Sequence, residues 1–347
     1  MTAAEPSAGK SASERNQAFE RLAEPLRREI KVHCYRMLGS VHEAEDLVQE
    51  TFLRAWRSFE SFEGGSFRAW LYRVATNACL NALESRKSVH RRLPDQLGPA
   101  VAAMTATAPA TDVAWLEPFP DSDLASIVDE ASDPEARYSS RESVRLAFVA
   151  AIQELPPRQR ATLLLCDVLG WAAAEVATLL GGSTASINSA LQRARETLGN
   201  RYRQGQRPAA LPRPDGTQQD LLGRYLKAWE GHDLDAFVAL LKEDAAVTMP
   251  PWLQWFIGRE AVRSFFAVAW TTCGGLRLKP TAANGQPAFA IYEYSATEAR
   301  WCAHSIHVLT FESGEISAVT LFLEPRLFEA FGLAPALDEP PPAAHHS

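Results

Sequence analysis

Three stretches of the 347-residue chain carry side chains whose types and spacing could do chemistry. The first, residues 66–87, reads SFRAWLYRVATNACLNALESRK and interleaves cations with aromatics and amides. Arginine and lysine track phosphates, while aromatic faces and amides hold unstacked bases, a pairing used on single-stranded nucleic acid. Trp70, Tyr72, Arg73, Asn77, Asn81, Arg86 and Lys87 are the candidates there. Stacking contributes about 1–3 kcal/mol per base, and extruding a base from a duplex costs about as much or more. One such helix therefore captures a melted strand without opening the duplex itself, which implies a larger machine. The competing reading, that Trp70, Leu71 and Val74 are helix core, holds for part of the set.

The second stretch, WAAAEVATLLGGSTASINSALQRAR at 171–195, ends in a helix whose polar face offers Ser186, Asn188, Ser189, Gln192, Arg193 and Arg195. Short polar groups near a helix N-terminus fit base edges in the major groove, and arginines reach phosphate or guanine. The third stretch, 217–333, contains Met249, Trp252, Trp255, Phe256, Trp301 and Phe322, an apolar set suited to the wall of a small-molecule pocket. Acid–base catalysis there needs an inward carboxylate with a tyrosine or a second acid. Glu293, Tyr294 and Glu298 come nearest and make no convincing pair, so no catalytic residue is assigned. His304 and His307, three apart on a strand, are expected on opposite faces, which argues against a shared metal. No metal and no cofactor is expected.

The elements that position these groups follow from periodicity. From Glu14 to Arg92 apolar residues recur at helical spacing. In EAEDLVQETFLRAW at 43–56, Leu47, Val48, Phe52 and Trp56 can face a core, leaving Asp46, Gln49, Glu50 and Arg54 as a polar face that on an arbitrary helix is simply solvated. Helices at 142–155 and, after Pro156-Pro157, at 158–169 lead into a helix-turn-helix seamed by Val176, Leu179, Ile187 and Leu191. Residues 217–333 change to α+β, with helices at 218–231, 234–241 and 259–270 and strands at 276–283, 288–295, 301–312 and 315–323. That order predicts a curved antiparallel sheet wrapped around helices. The fold class is thus multidomain. Two all-α modules, 14–93 and 141–203, precede an α+β domain at 217–333, with linkers at 94–140 and 204–216 and a disordered tail at 334–347.

The net charge of -7 argues at first against a nucleic-acid binder. Its distribution reverses that inference. The first helical module carries 14 basic and 11 acidic residues and the second carries eight and five, whereas the linker between them has one arginine against nine acids. Two basic modules flank an acidic tether. Within that tether WLEPFPDSDL at 115–124 sets two aromatics and two prolines among acids, stiffened against helix and suited to docking, either onto this chain or onto a partner. Five scattered cysteines include no CxxC pair, and neither a signal peptide nor an apolar run of membrane-spanning length is present, so a cytoplasmic protein without membrane association is expected.

The runs EAEDLVQETFLRAW and SFRAWLYRVATNACLNALESRK together resemble the second conserved region of a sigma-70 superfamily factor of the extracytoplasmic-function type. LPPRQRATLLLCDVLGW followed by the helix-turn-helix resembles the fourth such region. The resemblance implies that Asp46, Gln49, Glu50 and Arg54 meet the clamp helices of core RNA polymerase. It further implies that the helix around Trp70 to Arg86 reads the non-template strand of the minus-ten element, with Asn77 near a flipped base. Asn188, Ser189 and Arg193 fall at contact positions for the minus-thirty-five element, although relatives carry more arginine there. DLLGRYLKAWEGHDLDAFVALLKEDAAVTMPPW, GREAVRSFF and LFEAFGL resemble a SnoaL-like domain of the ketosteroid-isomerase-type cone fold, and WLEPFPDSDL is similar to a segment of sigma-G and sigma-J-like factors. The implied partners are core polymerase, promoter DNA and a small-molecule ligand in the cone. The alternative is a SnoaL-type enzyme fused to a DNA-binding regulator.

Overall fold

The structure, a computed structural model, describes residues 12–62, 64–85, 90–105, 107–124, 143–203 and 216–340. The first module is four helices, α1 (Ala12–Ala23), α2 (Arg27–Leu38), α3 (Val41–Arg57) and α4 (Phe67–Ser85). The turn from α2 to α3 needs Gly39. Its φ is +71°, and a Cβ there would meet Leu116 Cδ1 at 2.9 Å and the side chains of Gln153 and Arg91. Ser40 then caps α3 by accepting from the Glu43 N–H at 3.1 Å.

The second module is α5 (Leu146–Ile152), α6 (Pro157–Leu163), a π-turn (Leu164–Val168), α7 (Ala173–Leu180) and α8 (Thr184–Arg203). The helix expected over 142–155 is shorter. Arg145, whose backbone is outside the helical region, is its N-cap, and residues 141–142 lie outside the described set.

The C-terminal domain opens with α9 (Gly216–Glu230) and α10 (Leu234–Ala239). It continues through β1 (Leu241–Thr248), β2 (Trp255–Ile257), α11 (Arg259–Ala269), β3 (Leu276–Ala283), β4 (Gln286–Ser295), β5 (Arg300–Glu312) and β6 (Glu315–Phe322), ending with α12 (Leu327–Ala330) and β7 (Ala336–Leu337). The sheet order is β2-β1-β6-β5-β4-β3, with β7 on β5. β1 and β2 were not legible in the sequence. β1 spends Lys242, Glu243 and Asp244 on its exposed half, and β2 is three residues long. The tail is also better ordered than expected. Up to Pro340 it is held by β7, by ion pairs from Arg277 and Lys279 to Glu339, and by the Trp301 indole donating to the Pro340 carbonyl at 2.9 Å.

Strand alternation gives the sheet two buried faces. On β4, Phe289 and Ile291 face α9, α10 and α11, whereas Ala288, Ala290 and Tyr292 face the other way. That second face, with Ile306, Val308 and Phe322, joins one apolar cluster that runs through both helical modules. The cone is therefore docked on the helical modules by its sheet.

The linker runs between these bodies. Leu116 and Phe119 are fully buried, and Phe119 lies 4.6 Å from the Tyr35 ring. The WLEPFPDSDL segment thus docks within the chain. Its Glu117 carboxylate sits on the N-terminus of α3, accepting from Ser40 Oγ at 2.7 Å, from Val41 N–H at 2.9 Å and from the His42 ring at 3.0 Å. Burial pushes that carboxyl up, but the bonds from His42 and Ser40 and the charge of Arg91 outweigh it and hold it below the ordinary carboxylate range.

Candidate nucleic-acid interface

α3 buries Val41, Ala44, Val48, Thr51 and Ala55, and exposes Asp46, Gln49 and Arg54. Glu50 is half-buried and pairs with Arg54 at 2.6 Å one turn on. Trp56 departs from its expected place in the core. It is 39% exposed, covered from α1 by the Arg15 guanidinium at 4.6 Å, and its indole donates to Asn16 Oδ1 at 2.8 Å. Leu53, absent from the sequence candidates, is 52% exposed beside Arg54. An exposed leucine on an otherwise polar helix face was the available signal.

On α4, Arg73, Asn77 and Asn81 are exposed, and their four-residue spacing places them in one stripe. Trp70 is half-buried at the edge of that stripe, held by Phe62 at 5.4 Å and Phe67 at 5.3 Å. Tyr72 does not belong to it. It is buried, and its hydroxyl donates to Glu29 at 2.7 Å. One step in sequence turns a helical side chain by about 100°, enough to move Tyr72 from the open face to the α2 contact. Arg68, which the sequence reading passed over, stacks on the Tyr72 ring and pairs with Glu29. Arg86 and Lys87 lie outside the described residues.

In the helix-turn-helix, Gly181 at φ +67° ends α7 and Ser183 caps α8 by accepting from Ser186 N–H at 3.1 Å. Ser186 is consumed by the same cap. Its hydroxyl donates to Ser183 O at 2.7 Å and accepts from Ser183 N–H at 3.2 Å, so in this structure it helps to start the helix. Asn188, Ser189 and Arg193 are exposed, as is Gln192, which bonds Glu196 at 3.0 Å. Arg195 is engaged by Asp167 through two bonds, at 2.9 and 2.6 Å, tying α8 to the π-turn.

The two candidate faces are not independent. A cleft of about 720 Å³ separates Phe62, Trp70 and Arg73 of the first module from Trp171, Glu175 and Thr178 of the second. Beneath it the modules are bolted together. Arg160 donates to the Met37 carbonyl across the junction and to Gln153 Oε1, Gln153 O and Leu155 O on its own side. Gln153 donates to Arg36 O at 3.0 Å, and Arg36 bonds the carbonyl and hydroxyl of Ser143. A strand bound along α4 would meet α7.

The six residues expected to line one apolar pocket are separated. Met249 and Phe256 belong to the core between sheet and helices, while Trp301 and Phe322 lie in the cluster shared with the helical modules. Trp252 and Trp255 are half-buried and donate to linker carbonyls, Thr107 O and Gly98 O. The strand alternation that sorts these residues cannot be read without knowing which sheet face is covered by what. A second correction concerns His304 and His307. The β4–β5 register steps from Ser305 to Ala303, leaving His304 as an extra residue. The Ser305 hydroxyl consequently bonds both rings at 3.1 Å, so they are neighbours rather than opposed. No group of three metal-ligating side chains occurs among the described residues.

His307 completes its environment with the Tyr225 hydroxyl at 3.0 Å, and His33 in the first module pairs with Thr76 at 2.9 Å. Burial holds His307 well below the ordinary histidine range and His33 down to about 3. Both are neutral in the folded chain, and the unfolded chain protonates them near pH 6.5. Stability is therefore full above pH 6.5 and falls as the pH drops below it, by about 1.4 kcal/mol per unit for each histidine. Urea unfolding at pH 7.0 and 5.5 checks this, and a pH-independent midpoint would contradict it.

Comparison with known proteins accounts for all three domains. Residues 22–89 match Sigma-70 region 2, residues 145–198 match Sigma-70 region 4, and residues 222–319 match the SnoaL-like domain. The chain is 46% identical over 343 residues to the ECF RNA polymerase sigma factor SigG of Mycobacterium tuberculosis H37Rv, a match spanning 96% of this chain and 89% of that one. Identity to the SigJ factor of the same strain is 32% over 226 residues, 65% of this chain and 62% of the relative. The crystal structure of Mycobacterium tuberculosis SigJ superposes with a TM-score of 0.58 at 25% identity, covering 92% of this chain and all of that one.

Proposed function

The chain belongs to the extracytoplasmic-function RNA polymerase sigma factors that carry a C-terminal SnoaL-like domain, and from that premise we propose how its residues divide the work of promoter-specific initiation. Asp46, Gln49, Glu50 and Arg54, with the exposed Leu53, form the polymerase-docking face of α3. Trp70, Arg73, Asn77 and Asn81 take the minus-ten strand, and Asn188, Ser189, Gln192 and Arg193 read the minus-thirty-five duplex. The cone acts by holding the two modules closed, without catalysis, and the factor works in the cytoplasm. No helix among the described residues is long and apolar enough to cross a membrane.

The observation that carries the regulatory reading is the sheet face of the cone buried in one apolar cluster with both helical modules, while the modules close a cleft over α4. Run-off transcription with core polymerase tests it. The chain lacking residues 205–347 should initiate more strongly than the full chain, and equal activity would overturn the regulatory reading. Single substitutions test the assignment on α4. Asn77→Ala should lower open-complex formation about tenfold, the worth of one base contact of about 1–3 kcal/mol. Tyr72→Phe should leave it unchanged while lowering stability by about 1 kcal/mol through the lost bond to Glu29.

A further inference from the structure

We propose that the cone carries a binding groove for a polypeptide segment, read through main-chain groups, whose resident ligand is the chain's own residues 98–105 and 107–110. Gln254, buried on the cone, applies both halves of its amide to a single residue. It accepts from the Thr105 N–H at 2.9 Å and donates to the Thr105 carbonyl at 2.6 Å. A side-chain amide used this way reproduces the donor–acceptor pair of a neighbouring β-strand.

The flanking contacts have the same character. The indoles of Trp252 and Trp255 donate to Thr107 O at 3.2 Å and Gly98 O at 2.8 Å. In the other direction Val101 N–H and Ala110 N–H donate to the cone carbonyls of Trp255 and Pro251, each at 2.9 Å. Among the described residues, only the bond from Gln254 to Thr107 Oγ1 reaches a side chain of the segment. The contacts thus select a chain conformation rather than a side-chain sequence, in keeping with a segment, GPAVAAMTATAPA, made mostly of small residues.

The position of the groove fits the same class of ligand. β2 is the edge of the sheet, where main-chain groups left over by the ladder accept a further chain, and the Val101 bond to the Trp255 carbonyl uses one of them. Val101 packs on the core of the cone, whereas Met104 is 49% exposed, so the segment is anchored by backbone and one small apolar side chain. Since this segment joins the two helical modules, holding it on the cone keeps that part of the tether from extending. The groove assignment stands on these contacts alone, and only its consequence for transcription rests on the regulatory reading above.

Amide hydrogen exchange on the full chain tests it. Val101, Thr105 and Ala110 should be protected. Thr105→Ala keeps both main-chain groups and should leave the protection of Val101 and Ala110 within about twofold. Thr105→Pro removes the donor and Gln254→Ala removes the receptor and its three bonds, and each should speed exchange at Val101 and Ala110 by at least about tenfold, the worth of one lost hydrogen bond. Exchange of the wild-type amides at unstructured rates, unchanged protection in Gln254→Ala, or equal damage from Thr105→Ala and Thr105→Pro would each overturn the proposal. Exchange reads the groove itself, so a transcription level unaltered in these variants would count against the regulatory reading and not against the groove.

Discussion

Arg160→Met should open the junction between the two helical modules and lower stability by about 3 kcal/mol. Arg160 is 1% exposed and pairs with no carboxylate among the described residues, and burial pulls its pKa down to about 10, so it stays charged at neutral pH. What it satisfies are acceptors: the Met37, Gln153 and Leu155 carbonyls and Gln153 Oε1. Methionine fills similar volume and removes the cost of burying a charge, but leaves those oxygens without their donor. A buried group left unpaired costs about 1–3 kcal/mol. The loss across the junction should dominate the opening, because of these four bonds the one to Met37 spans the two modules. Small-angle scattering should report a larger radius of gyration, and urea unfolding a lower midpoint. Arg160→Met with wild-type values for both would exclude a latch at this point. Arg160→Lys should fall between the two, since one ammonium cannot span the fork of acceptors that the guanidinium spans.

Asn284→Ala should release the cone from the helical modules. Asn284 lies at φ +56° in the Asn-Gly turn between β3 and β4, where the left-handed backbone suits asparagine. Its side chain accepts from Phe119 N–H at 2.8 Å and donates to Tyr35 Oη at 2.8 Å and Val144 O at 2.7 Å, while its own N–H donates to Phe119 O at 2.8 Å. The next residue adds a bond from Gly285 N–H to the Asp121 carboxylate. One hairpin tip therefore meets the first module, the linker and the second module. Alanine loses three buried bonds and adds backbone strain, a cost of about 3–5 kcal/mol. Asn284→Gly loses the same bonds without the strain, so the difference between the variants isolates the backbone contribution. In run-off transcription both should approach the activity of the chain lacking residues 205–347. Full-length activity in both would show that this tip does not hold the cone.

The helical modules, the helix-turn-helix and the α+β domain were legible because each rests on short-range periodicity. Apolar spacing over 41–57 and 67–85, the Gly181-Gly182-Ser183 turn and the Ser313-Gly314 hairpin are local instructions. The exposure of the candidate residues was legible as far as it followed from one helix. The Arg73, Asn77 and Asn81 stripe is a matter of spacing by four.

Tyr72, Ser186 and Arg195 share a feature that residue type does not show. A partner distant in sequence or a helix cap takes their hydrogen bonds: Glu29, Ser183 and Asp167. Trp301, Phe322, Trp252 and Trp255 were read as one wall because all are large and apolar. Their separation depends on which sheet face meets the helical modules and where the linker crosses.

By itself the sequence determined the family, the succession of three domains and the chemistry offered by the exposed faces of α4 and α8, since those depend on residue type and on periods of two and 3.6 along a continuous chain. Only the tertiary structure decided that the modules are closed on one another, that Glu117 is spent on the N-terminus of α3, and that Asn284 joins all the parts. Those outcomes depend on pairing groups up to 249 residues apart. No local pattern encodes such a pairing, because a buried polar group shows its partner only when the surfaces that exclude water from both have come together.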